Sequence, residues 1–275
     1  MKNRIYLLLL FLITLFCIGN VEVKAEMEQS SEDPYTYFEG LEMSSLSLGL
    51  YHSSAITSTG EVFTWGSNSY GQLGDGTKTE KIVKTEITSQ FNLLVGEKVE
   101  MLNLGFYHSS AITSIGRTFI WGSNGYGQLG DGTTKDKLLP TEITSQFDLE
   151  DDEKVSGISL GYSHSSAITS KGRVFTWGSN ANGQLGDGTT TNRLVPTEIT
   201  SQFNLVGEEK INKLNMGSNH SSAITSLGRV FLWGYNKYGQ LGDGTITNRL
   251  VPTDITNQFY LNTEEKIVKL SFKEL

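Results

Sequence analysis

Apolar residues alternate with small polar ones in short stretches that recur at a constant interval. Leu46 and Leu48 flank Ser47, and the pattern returns as Leu102/Leu104 around Asn103, Ile158/Leu160 around Ser159 and Leu214/Met216 around Asn215. Alternation with period two over so few residues predicts a strand. Gly49, Gly105, Gly161 and Gly217 close it, and a second strand is predicted where His52, His108, His164 and His220 each open a His-x-Ser-Ala-Ile-Thr-Ser run. A turn at Gly60, Gly116, Gly172 and Gly228 leads into a third strand. There Phe63 and Trp65 share one face and Val62 and Thr64 the other, a pattern kept as Phe119/Trp121, Phe175/Trp177 and Phe231/Trp233. Pro140, Pro196 and Pro252 then precede Thr-Glu-Ile or Thr-Asp-Ile, with Lys84 in that place in the first copy. Proline cannot donate to a ladder, so this fourth strand belongs on a sheet edge.

The segment Trp-Gly-x-Asn-x-x-Gly-Gln-Leu-Gly-Asp-Gly-Thr starts at Trp65, Trp121, Trp177 and Trp233, at 56-residue intervals. A fixed period of this length means one structural unit copied along the chain. The units run over about 42–97, 98–153, 154–209 and 210–265, and residues 266–272 begin a fifth as a terminal strand, with Leu270 and Phe272 in the register of Leu214 and Met216. Four short antiparallel strands per unit, without helical periodicity, predict an all-β chain. Its architecture is a β-propeller-type array of four four-stranded blades, in one domain spanning residues 42–275.

The N-terminus is of a different kind. Lys2 and Arg4 precede an apolar stretch from Ile5 to Ile18, and Val23-Lys24-Ala25 resembles a small-residue cleavage site. Residues 1–25 therefore read as a secretory signal peptide, with a secreted or cell-surface location to follow. The stretch is short for a bilayer span, so membrane attachment follows only if this segment is retained. Residues 26–41 form an acidic lead-in. Cleavage after Ala25 removes Cys17, the single cysteine, so packing has to hold the mature chain without disulfides. The net charge of −8 becomes more negative once Lys2, Arg4, Glu22 and Lys24 are gone, and no basic cluster interrupts the repeats. That balance argues against nucleic acid as a partner.

The repeated residues resemble those of the regulator of chromosome condensation family: Gly49-x-x-His52-x-x-Ala55, then Gly60, then Trp65-Gly66-x-Asn68-x-x-Gly71-Gln72-Leu73-Gly74-x-Gly76, recurring in all four copies. The resemblance implies a β-propeller. It also implies one of two kinds of role, nucleotide exchange on a small GTPase or, as in secreted bacterial members, binding of other proteins. The family's familiar propeller has seven blades where this chain supplies four units, and the units are lengthened around the Ser-Gln-Phe-x-Leu segment near Phe91 and Phe147 and its equivalents at Phe203 and Phe259. An open or incomplete propeller is expected. Its exposed blade edges would suit a partner or a second copy in a homo-oligomer.

All four His and all four Trp are repeat residues. Duplication placed them together, so Trp65, Trp121, Trp177, Trp233, His52, His108, His164 and His220 read first as scaffold. Burying one Trp and one Phe per blade removes about 300–500 Å² from water, a gross gain of roughly 8–12 kcal/mol. Each His lacks a second ligand at metal spacing, and Asp75, Asp131, Asp187 and Asp243 stand alone in their loops, short of a calcium ligand set. The glycine-rich loop lacks the lysine and following helix of a phosphate-binding loop. No unrepeated nucleophile stands beside an unrepeated base, so no cofactor, metal or catalytic group is expected.

Recognition is better sought where the copies differ. Tyr51, Tyr107, Ser163 and Asn219 precede the His, and Tyr70, Tyr126, Asn182 and Tyr238 occupy the glycine-rich loop. Loop aromatics are favoured contact residues, which makes Tyr51, Tyr107, Tyr70, Tyr126 and Tyr238 candidates for partner binding, although packing between blades suits them equally. The expectation is an exported, non-enzymatic scaffold that binds a protein or glycan through loops at one end. Exchange on a small GTPase is the alternative, and a secreted hydrolase the least favoured.

Overall fold

In the computed structural model the four expected strands of every unit form, and the structure describes residues 43–260 and 267. The expected signal peptide, the acidic lead-in and, apart from Ile267, the terminal strand lie outside the described residues. Blade 1 consists of β1 (Met43–Leu48), β2 (His52–Thr57), β3 (Val62–Gly66) and β4 (Lys81–Glu86). Blade 2 holds β5 (Val99–Leu104), β6 (His108–Thr113), β7 (Thr118–Gly122) and β8 (Lys137–Glu142). Blade 3 holds β9 (Val155–Leu160), β10 (His164–Thr169), β11 (Val174–Gly178) and β12 (Arg193–Glu198). Blade 4 holds β13 (Ile211–Met216), β14 (His220–Thr225), β15 (Val230–Gly234) and β16 (Arg249–Asp254).

Each blade is an antiparallel meander in chain order, so the proline-bearing fourth strand sits on an edge. The register sets Ala167 between Ile158 and Phe175, and Ala55 between Leu46 and Phe63. A small residue on the middle strand lets its large neighbours lean over it. The ladder between third and fourth strands shifts register at Trp65, Trp121, Trp177 and Trp233. A bulge of this kind re-aims the residue it carries, here the indole.

The extra length around the Ser-Gln-Phe segment has a structure that strand patterning does not reveal. Residues Thr88–Phe91, Thr144–Phe147, Thr200–Phe203 and Thr256–Phe259 each make one 3₁₀ turn. The turn drives its Phe into the next blade: Phe147 stands edge-on to Phe175 at 5.4 Å and to Trp177 at 5.7 Å, and Phe91 and Phe203 repeat the arrangement.

The cores consequently lie between blades. Ile56, Val62, Ile87 and Phe91 of blade 1 pack with Val99, Leu102, Ala111, Phe119 and Trp121 of blade 2, and corresponding clusters join blades 2 and 3 and blades 3 and 4. First strands follow one another, β5 on β1, β9 on β5 and β13 on β9. Both faces of the third strand are buried in blades 2, 3 and 4, since the Val/Thr face is covered by the following segment as the Phe/Trp face is by the preceding blade. Trp121, Trp177 and Trp233 are fully buried, whereas Trp65 is half-buried.

Trp177→Ala leaves a cavity and removes one of the two donors to the Gln128 carbonyl, so it is expected to lower the unfolding free energy by about 3–5 kcal/mol. Urea denaturation checks this, and an unchanged midpoint would show that the indole does not pack as described.

Candidate functional site

The repeated His, Ser, Gln and Trp meet at each junction in one hydrogen-bonded knot. The carbonyl of Gln128 accepts the Trp177 indole N–H at 2.8 Å and the Ser165 hydroxyl at 2.8 Å. Gln72 and Gln184 do the same for Trp121 with Ser109 and for Trp233 with Ser221. His108 Nε2 lies 2.9 Å from Ser165 Oγ, and His52 and His164 reach Ser109 and Ser221 at 2.8 and 3.1 Å. A serine hydroxyl has one proton, and the carbonyl takes it, so the imidazole Nε2 must be the donor to Oγ. Nδ1 is then the bare nitrogen, buried without a partner in His52, His108 and His164. Burial lowers the pKa of His52 to about 4 and, with added repulsion from neighbouring histidines, those of His108 and His164 to about 3. These rings are neutral. Gly130 explains one glycine of the repeat: its φ is +71°, and a Cβ there would stand 2.8 Å from the Trp177 indole nitrogen.

The aspartates of the glycine-rich loops act as staples. Asp187 accepts from Thr189 N–H at 3.0 Å, from Asn180 Nδ2 at 3.0 Å, and pairs with Arg193 at 2.7 Å. Lys81, Lys137 and Arg249 serve Asp75, Asp131 and Asp243 in the same way. Among the described residues no cluster of three His, Cys, Asp or Glu could hold a metal ion.

A meander places the connection between its first and second strands and the connection between its third and fourth at one end of the blade. All the tyrosine positions singled out from the sequence lie in those connections, and at blades 1 to 3 the rings meet. Tyr107 is the hub: its centroid lies 6.2 Å from Tyr51, 5.2 Å from Tyr70 and 5.6 Å from Tyr162, and Phe106 packs at 5.0 Å on Tyr162. Tyr51, Tyr70 and Tyr162 are exposed, so the cluster presents a continuous aromatic surface. Burial and the neighbouring phenols raise the pKa of Tyr107. Tyr126 and Tyr238 do not join it. Blade 3 has Ser163 at the repeat position of Tyr107, the ring that Tyr70 meets from blade 1, and among the described residues Tyr238 pairs with Tyr235, at 6.1 Å. Tyr162 and Phe106 stand one residue before the positions that the sequence singles out. Positions 50, 106, 162 and 218 read Leu, Phe, Tyr and Ser, and that variation was the available signal.

At the opposite end a groove of about 520 Å³ opens between blades 3 and 4. Gly157 creates it by standing where blade 2 has Met101, which leaves Ile168 half-covered. Its lining mixes backbone, hydroxyl and lysine groups without a paired acid and base.

The RCC1-like domain profile matches residues 16–272. The chain belongs to the RCC1-like domain family. The ultraviolet-B receptor UVR8 of Arabidopsis thaliana is 32% identical over 78% of this chain and 46% of its own length. The probable E3 ubiquitin-protein ligase HERC4 of Homo sapiens is 35% identical over 77% of this chain and 19% of its own. The chain thus spans less than half of these relatives. Among solved structures, human WBSCR16 overlays with a TM-score of 0.68 at 26% identity, covering 78% of this chain and 53% of that one. Yeast RCC1 (Prp20), solved with Kap60 bound, overlays at 0.66 and 22% identity over 82% of this chain and 50% of that one.

The neutral histidines make stability depend on acid in a defined direction. Below the unfolded value of 6.5 the unfolded chain takes up protons that the folded chain refuses until about pH 4 to 3, so stability is level above pH 7.5 and falls as pH drops through 6 and 5. Each histidine contributes up to about 1.4 kcal/mol per pH unit in that window. Glu97, Glu153 and Glu209 add a later loss below their ordinary 4.5: burial raises each, but hydrogen bonds and an arginine bring it lower still. Unfolding free energies measured from pH 8 to 4 check this, and a flat profile between pH 7 and 5 contradicts it.

Proposed function

We propose that this chain is a non-enzymatic scaffold that acts outside the cytoplasm and binds a protein partner through the aromatic end surface of blades 1 to 3. The observation that carries the reading is the continuous exposure of Tyr51, Tyr70 and Tyr162 around the half-buried Tyr107. Exposed aromatic clusters on loops held by a rigid sheet are favoured anchors, because few rotatable bonds are fixed for a large contact area. A protein suits the surface better than a glycan. The rings are inclined to one another by 37°, 60° and 86°, so they offer niches for side chains instead of the common flat platform on which a sugar stacks. Action outside the cytoplasm is supported by the basic and apolar pattern of residues 1–25.

The relatives carry unlike names, a light receptor and a ubiquitin ligase, on a shared fold, so the fold alone selects no activity. A likeness to yeast RCC1 at 22% identity reaches the fold and no further.

The test is affinity capture from a cell-surface fraction with the wild-type chain and with Tyr51→Ser/Tyr162→Ser, whose melting temperature should match the wild type. A defined polypeptide held by the wild type and weakened tenfold or more in the variant is expected. Equal capture by both proteins, binding to an oligosaccharide panel instead, or turnover of a substrate would overturn the reading.

A further inference from the structure

Blade 1 shows the surface that blades 2, 3 and 4 each bury against the blade before. Leu46 is 49% exposed where its counterpart Leu102 is 5%, and Trp65 is half-buried where Trp121 is sealed. Ile82 and Val83 on β4 are 93% and 69% exposed, whereas Leu138 at the place of Ile82 lies against Gly71 of the preceding blade. Blade 4 shows the opposite half of the junction. Phe259 is 37% exposed, while Phe91, Phe147 and Phe203 are fully buried against the Phe and Trp that follow them. Gly71 and Gly74 abut Leu138 and Trp121, but Gly242 and Gly244 have nothing within 4 Å of an added Cβ. Tyr70 meets Tyr107 of the next blade, and its counterpart Tyr238 is 82% exposed.

The two surfaces are complementary residue by residue, because both are copies of halves that already fit together three times within the chain. We propose that blade 4 of one copy docks on blade 1 of a second copy, head to tail, and that two copies close into a ring of eight blades. In that junction Phe259 stands edge-on to Phe63 and Trp65 of the second copy, the Gln240 carbonyl accepts its Trp65 indole N–H and Ser53 hydroxyl, and Tyr238 meets its Tyr51. Closing four blades takes about 90° per blade and closing eight about 45°. The four blades overlay on 53% of WBSCR16 and 50% of yeast RCC1, and the seven-bladed ring that the resemblance implies turns about 51° per blade, close to the 45° of eight. A head-to-tail contact whose rotation closes yields a finite ring. Ile267 packs on Val230, Leu232, Leu241 and Ile255, the seat that Val99 takes between blades 1 and 2, and Met43 holds that register in blade 1. β1 of the second copy therefore displaces Ile267 from that seat, which makes the association weaker than the inner junctions and dependent on concentration.

Light scattering of the purified full chain across the micromolar range tests this without reference to any partner. Twice the chain mass is expected, falling to one chain mass in Ile82→Glu/Val83→Glu and separately in Phe259→Glu. Ile82 and Val83 face solvent in the single chain, so the first variant keeps its fold, which an unchanged melting temperature verifies. Mixing the two variants supplies one intact blade 1 surface and one intact blade 4 surface, and restores the two-chain mass through a single junction. One chain mass at every concentration, an assembly that survives in either variant, an open ladder of masses, or a mixture that stays at one chain mass would overturn the proposal.

Discussion

A four-stranded sheet of five- and six-residue strands has two apolar faces and cannot bury either by itself, so this fold depends on the contact between one blade and the next. That contact is organised around a backbone carbonyl. Gln72, Gln128 and Gln184 each offer one oxygen that accepts both an indole N–H and a serine hydroxyl from the following blade. Burying a Trp requires a partner for its N–H, and burying a Ser requires an acceptor for its proton. One carbonyl meets both needs, and the histidine completes the serine's bonding from the other side. The surrounding apolar side chains supply the driving force, while the knot fixes how far one blade can slide or turn on its neighbour.

Much of this was legible in the sequence, for identifiable reasons. Period two, glycine at the turns and proline on the last strand each have a single geometric meaning, and a fixed 56-residue spacing lets the four copies confirm one another. The 3₁₀ turn of Thr144–Phe147 was not legible, because four residues are too few to show a helical period and Phe147 acquires its meaning from Phe175 and Trp177 in another repeat. Nor could pairwise spacing show that His108 addresses Ser165. The two are 57 residues apart, one step beyond the repeat, and only stacking of the blades brings them within 2.9 Å. At the candidate surface the positions singled out from the sequence include three rings that meet, Tyr51, Tyr70 and Tyr107. It also pointed to Tyr126 and Tyr238, which stand apart because the residue each would meet is a property of the next blade. Blade 3 offers Ser163 where blade 2 offers Tyr107, and no further blade of the described residues rests beside Tyr238.

The meander separates two kinds of residue physically. Residues on the faces of the strands are fixed by the neighbouring blade, so Trp, His and Ser cannot change without cost to the junction. The positions just before each His, in the connection between first and second strands, lie outside that knot, and there the copies diverge, from Tyr51 and Tyr107 to Ser163 and Asn219. The divergence has a gradient. Aromatic rings concentrate at blades 1 to 3 and give way to Ser218 and Asn219 in the corresponding loop of blade 4. A surface that changes along a repeated frame gives a partner one preferred position where a uniform surface would give four equivalent ones.

The same logic reaches the outer faces of blades 1 and 4. A repeat copied with its junction residues intact carries both halves of the junction whether or not a neighbour is present. Selection for solubility alone would favour polar residues on a face that always meets water, as capping repeats do elsewhere. In blade 1 two positions at the margin of that face differ from the other copies, and both are charged. Glu61 stands where Arg117, Arg173 and Arg229 pair with buried glutamates in the other blades, and Lys84 replaces the proline and rests over Phe63 at 4.6 Å. The apolar positions of the contact, Leu46, Phe63, Trp65, Ile82 and Val83, remain apolar. A face polar at its margin and apolar at its centre has the anatomy of an interface that forms and parts, and Phe259 on blade 4 supplies the matching apolar element for it.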